Sequence, residues 1–208
     1  MAAEPVTHLA PGSPRSWSEM RFFVSLYPCG SCGRRDGGDD LRYTDVRTGD
    51  GRIGSLAGAC GRCGAGRIFT FPLTVDPLGV KVQFPQLGGP EPSRMIAAGA
   101  FVEELLRLAP SVSWEPERMA PAAWRASGSA LWRVLTCLLE LQKLLPDGIA
   151  EIPVPSGASE GERALRAAQS SCFQRAWLEG ERQRYRALQV RRAADAPRIW
   201  ALEKGRGR

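Results

Sequence analysis

The sequence predicts an α+β protein, a small antiparallel β ribbon followed by an α-helical region of about three helices. Three observations lead there. Two matched CGxCG units recur with 27 residues between Cys32 and Cys60, short β-rich runs surround them, and the apolar period changes to a helical one beyond residue 90. The expected organisation is a flexible tail over 1–18, a four-cysteine ribbon over 19–88, a helical domain over 89–193 and a basic tail over 194–208. A chain of 208 residues, 43% apolar and 24% charged, is long enough for two such units.

The ribbon is justified first. RFFVSLY (21–27) is aromatic and β-branched and reads as a strand entering the first cysteine pair. LRYTDV (41–46) and RIGSL (52–56) flank the tight-turn signal TGDG (48–51), which predicts a hairpin. RIFTFPL (67–73) alternates and leaves the second pair as another strand. The pairs themselves are CGSCG (29–33) and CGRCG (60–64). Two thiolates with two residues between them reach one ion only where the chain folds back sharply. The residue after the second cysteine then needs positive φ, which glycine adopts without steric cost, and Gly33 and Gly64 occupy that place. Cys29, Cys32, Cys60 and Cys63 are therefore the predicted ligands of one metal ion.

This pattern of strand, knuckle, hairpin, knuckle and strand resembles the zinc ribbon group, whose knuckles are shared with rubredoxin, over residues 21–74. The resemblance implies that the four cysteines ligate zinc. Iron is the minority alternative, since four thiolates suit either ion. Neither knuckle has a proline between its cysteines, and the sequence shows no evident aromatic cluster of the kind that accompanies an iron site. Four protein ligands close the coordination sphere, so such a metal would be structural, supplying folding free energy that a small core lacks.

The helical half follows VDPLGVKVQFPQLGGPEP, read as a last strand and a connector. Ser93 is the expected N-cap of a helix over 94–108, with Met95, Ala98, Val102, Leu105 and Leu106 on one face and Pro110 at its end. A second helix over 122–145 carries Leu131, Val134, Leu135, Leu138, Leu141 and Leu145, and Pro146 to Gly148 stop it. A third region runs from the capping-box pair Ser159 and Glu162 to about Ala193, with an interruption near Gln169–Ser171. Arg182, Arg184, Arg186, Arg191 and Arg192 are expected mostly on its wet side. Cys137 and Cys172 read as core thiols.

Composition limits function. No run of 18 apolar residues exists and the N-terminus has no apolar stretch of signal-peptide length, so a cytoplasmic protein with no membrane partner is expected. Reduced thiols there favour metal over disulfide. The heavy usage of Ala, Arg, Gly and Pro resembles the coding bias of a high-GC bacterium. Catalytic machinery is missing: the single histidine, His8, falls in the expected tail, and GGDD (37–40) reads as a polar loop. No phosphate-cradling glycine loop or nucleophile elbow is present. A non-enzymatic role follows, and two are weighed. One is a protein-interaction module, an adaptor or an inhibitor such as an immunity protein, with six Trp residues as candidate anchors. The other is nucleic-acid binding through Arg34, Arg35, Arg47, Arg52, Arg62 and Arg67 of the ribbon and the basic C-terminal segment, where residues 156–208 carry 12 basic against 6 acidic side chains. Asp36, Asp39, Asp40, Asp45 and Asp50 nearly cancel the charge of the ribbon loops, which favours the protein partner. Self-association is left open.

Overall fold

The computed structural model describes residues 5–35, 38–49, 51–82 and 85–205. The start of the expected N-terminal tail, Asp36 and Gly37 of the loop, Asp50 of the hairpin turn, Gln83 and Phe84 of the connector and the last three residues lie outside them. The chain divides into two compact units, Met1–Ala97 and Ala98–Arg208.

The described residues of the first unit form a four-stranded mixed sheet with one helix. β1 (Val6–Leu9) comes first and pairs in parallel with β4 (Gly66–Leu73), with His8 beside Phe69. β2 (Arg42–Thr48) and β3 (Gly51–Ala59) form the expected hairpin, and β3 pairs antiparallel with β4, giving the order β1-β4-β3-β2. The sheet is therefore not purely antiparallel, because residues 6–9 form a strand instead of a flexible tail. Alternation buries Leu56, Phe69, Phe71 and Leu73 on the inner face.

The segment read as an entering strand is helix α1 (Trp17–Leu26). Its start is fixed by Ser16, whose Oγ accepts the Glu19 N–H at 3.1 Å and donates to the Leu87 carbonyl. The buried Glu19 carboxylate in turn accepts from the Arg15 backbone N–H at 2.6 Å and from its Nε at 2.9 Å. Met20, Phe23 and Val24 then recur at helical spacing and are buried. These tertiary and capping contacts outweigh the β propensity of the aromatic run. Phe23 meets Phe71 edge-on at 5.8 Å, so α1 packs on the inner face of the sheet. Between residues 74 and 97 the described residues form no strand; Asp76 closes a turn by accepting from the Leu78 N–H.

The described residues of the second unit form four α-helices, not three. α2 (Ala98–Leu108) starts four residues later than expected, because the Ser93 hydroxyl accepts from Met95 and Ile96 in a turn of its own. α3 (Pro121–Lys143) opens with proline at its first position, where the missing N–H costs nothing. α4 (Glu160–Ala168) is capped by Ser159, which accepts the Glu162 N–H at 3.1 Å. A short 3-10 turn over Ser170–Phe173 separates it from α5 (Arg175–Gly205). α5 runs through Pro197 and on to residue 205, so the described part of the expected C-terminal tail is helix. Phe101, Leu131, Leu135, Leu138, Leu141, Phe173 and Leu178 are the largest side chains sealed in this core. No helix of the described residues is long and apolar enough to cross a membrane.

Candidate metal centre

The first cysteine pair follows the C-terminal end of α1, and the second makes the turn between β3 and β4. Each knuckle is closed by the same two backbone bonds. The Cys29 N–H donates to the Arg34 carbonyl and the Gly33 N–H to the Cys29 carbonyl, both at 2.8 Å. The Cys60 N–H donates to the Ala65 carbonyl and the Gly64 N–H to the Cys60 carbonyl, again at 2.8 Å. Gly33 has φ of 69° and Gly64 of 74°, the left-handed conformation the spacing demands.

This repeated geometry brings all four sulfurs within 4.8 Å of one another. Sγ of Cys29 lies 3.6 Å from that of Cys63, and Sγ of Cys32 lies 3.7 Å from that of Cys60. A disulfide needs about 2.05 Å between sulfurs. A tetrahedron with metal–sulfur bonds of about 2.3 Å has edges of about 3.8 Å, close to the separations found here. The donor set and its size therefore fit a single metal ion. The sulfurs are electrostatically unequal. Cys29 is brought down to about 6, first by the backbone N–H groups of Ser31 and Cys32. Cys60 is lowered in the same way by Arg62 and Cys63. Cys63 is pushed up to about 11: the Ala65 N–H works to lower it, but the neighbouring thiols, Cys32 foremost, and burial outweigh that. Two knuckles aiming backbone N–H groups at sulfur are arranged to stabilise thiolate, the form that binds metal.

Side chains near the knuckles hold them together. Arg67, buried on the inner face, donates from Nη2 to the Tyr27 carbonyl at 2.8 Å, joining the chain just before the first knuckle to the strand just after the second. Arg34 pairs with Asp40 at 3.5 Å, and a Cβ on Gly61 would lie only 2.2 Å from Asp40 Oδ2, so the first loop lies directly on the second knuckle. His8, expected in a tail, stacks on Phe69 at 4.8 Å and lies 4.5 Å from Tyr27. Burial and the Arg67 charge lower its pKa. With Phe23 and Phe71 these rings make an aromatic cluster that the sequence reading did not expect. Its only early signals were the paired aromatics of RFFVSLY and RIFTFPL.

The other singled-out residues separate. Arg34 and Arg67 serve the ribbon as described, and the Arg52 Nε donates to Asp45 at 2.6 Å. Arg35, Arg47 and Arg62 are exposed. Asp39 pairs with Arg21, so the described part of GGDD is a loop tied down by ion pairs. Cys137 and Cys172 are buried free thiols whose pKa values burial raises. Of the arginines expected on the wet side of α5, Arg192 is buried. The chain matches no family model, no curated protein and no solved structure.

Proposed function

We propose that Cys29, Cys32, Cys60 and Cys63 hold one zinc ion, and that the ribbon it braces is a non-catalytic docking platform for another protein. The zinc would be structural: four thiolates leave no open coordination position, and the ion's work is to hold the two knuckles of a small unit together. The observation that carries the partner reading is the outer face of the sheet. Val46, Ile53 and Pro72 sit side by side on β2, β3 and β4, and all three are exposed, Val46 to 61%. β2 is also a sheet edge, exposed along nearly its whole length. An edge strand bordered by an apolar row suits addition of a partner's strand. Arg34, Arg52 and Arg67 are engaged within the unit, which lowers the positive charge offered to a phosphate backbone.

The test is affinity purification from the source cells, with and without nuclease, using the natural chain and Val46→Asp. A stoichiometric protein that survives nuclease and is lost in the variant supports docking. Nucleic-acid binding is the second reading, favoured by the exposure of Arg35, Arg47 and Arg62. It predicts that every partner vanishes with nuclease and that binding falls steeply with salt. Metal content by mass spectrometry, with the absorbance of the purified protein, distinguishes zinc from iron, because an iron–thiolate centre is coloured and a zinc one is not.

A further inference from the structure

Gly128 sits inside α3, the residue that weakens a helix interior most after proline. A Cβ there would lie 2.4 Å from Nη2 of Arg192 on α5, so the glycine makes room for that guanidinium. Arg192 is 5% exposed and lies over the Trp124 ring, 4.2 Å from its centroid. Nη2 donates to the Trp124 carbonyl, whereas Nη1 is buried with no hydrogen-bond partner. Among the described residues no carboxylate hydrogen-bonds it, and Asp195 acts on it through its charge alone. Asp195, one turn along α5, gives one oxygen to Arg198 Nε at 2.7 Å and the other to Arg198 Nη2 at 2.9 Å.

Arg166 in the same unit shows what a purely structural buried arginine looks like here. It is 7% exposed and lies 4.1 Å from the Phe173 centroid, the same stacked arrangement. Yet it donates to the carbonyls of Ile152 and Pro153 at 2.9 and 3.2 Å, and to Glu162 Oε1. Arg192 has one carbonyl and no carboxylate in hydrogen-bond contact. Burying a cation that no carboxylate hydrogen-bonds is costly, and a helix-to-helix lock needs no charge at all. Beside it lies a cavity of about 430 Å³ lined by Trp124, Ser129, Leu131, Trp132, Gln189 and Arg192. That volume is within the roughly 300–1,000 Å³ of small-molecule sites, which combine apolar walls with few polar groups.

We infer that this cavity between α3 and α5 binds a small aromatic monoanion, its ring against the tryptophans and its anionic group on the Arg192 guanidinium. The site is independent of the ribbon and of its proposed partner. The full-length protein is titrated with anilinonaphthalene sulfonate, an aromatic monoanion, following energy transfer from tryptophan to the probe. One saturable site is expected. Arg192→Gln should weaken it about tenfold or more, the effect of losing a charge-assisted hydrogen bond. Ser129→Trp, a change at an exposed lining position that leaves Arg192 untouched, should block the site. The uncharged parent, anilinonaphthalene, should bind the natural protein at least about tenfold more weakly for the same reason. Equal affinity for the uncharged parent, saturable binding undiminished by Ser129→Trp, or no saturable binding at all would overturn the inference.

Discussion

The two units of this chain solve the same stability problem by different means. In Met1–Ala97 the sealed core is a few aromatic and aliphatic side chains between α1 and one sheet face, while the other face and the β2 edge stay exposed. What holds its loops together is the pair of knuckles, whose four sulfurs approach to tetrahedral spacing. In Ala98–Arg208 the long apolar stripe of α3 is enclosed by α2 and α5, and ion pairs tie the helices across it. The proposed metal would staple the unit with the smaller core, where a cross-link adds most, while the unit with a continuous helical core has no such cluster among its described residues.

The sharpest way to break that contrast is to remove the staple. Structural zinc contributes an apparent 10–16 kcal/mol or so in small zinc-binding peptides, about as much as the whole stability of a domain. Cys29→Ser or Cys60→Ser, or a strong chelator, should therefore unfold the first unit and leave the helicity of α2 to α5 nearly intact. Circular dichroism melts combined with limited proteolysis would read this. A metal-free variant that melts as the natural protein does would end the proposed structural role.

The second unit has its own weak point in Glu104. Its carboxylate is fully buried and accepts from Arg107 Nε at 2.7 Å and Arg133 Nε at 3.0 Å, joining α2 to α3. Glu104→Gln should cost about 3 kcal/mol, the low end for a broken buried pair, because both arginines keep some access to water. Metal content should not change. The same group sets an acid limit. Burial alone would raise the Glu104 pKa, but the hydrogen bonds and charges of Arg107 and Arg133 outweigh it and hold the group below its ordinary 4.5. Its contribution is thus complete above pH 4.5 and is lost as pH falls through the lowered native value. The stability difference between natural protein and variant should be flat above that pH and close below it. A gap that persists in acid would show that Glu104 acts through packing instead of charge.

The contrast also explains what could be read from the sequence. The clustering of the four cysteines was legible because both knuckles carry their geometry locally: two cysteines, the spacing and the following glycine suffice. α3 and the Ser159 cap were legible for the same reason, a strong period in one case and a capping box in the other. α1 was missed although SWSE (16–19) holds the same kind of cap, because the aromatic run after it was read by β propensity. Met20, Phe23, Val24 and Tyr27 follow the helical period i, i+3, i+4, i+7, and that period was the better guide. β1 could not be found locally, since a four-residue strand that pairs in parallel with a segment some 60 positions away leaves almost no local trace. The inward roles of Arg67 and Arg192 were hidden likewise. Arginine in a sequence reads as surface charge until its partners are known.

The smallest effect concerns the knuckle glycines, and it separates backbone geometry from ligand chemistry within the ribbon. Gly33 has φ of 69°, and a Cβ added there would meet nothing within 4 Å. The cost of Gly33→Ala is therefore purely conformational, about 1–2 kcal/mol for a left-handed residue. Asparagine, which tolerates that region better, should recover part of it. Gly64, with φ of 74° and equally open space, should behave the same. Either alanine variant should still bind one metal ion while the first unit melts at a lower temperature and the second is unaffected. If alanine instead abolished metal binding, the knuckle turn would be as indispensable as the thiols it positions. If asparagine were no better than alanine, the loss would have to come from something other than the left-handed backbone.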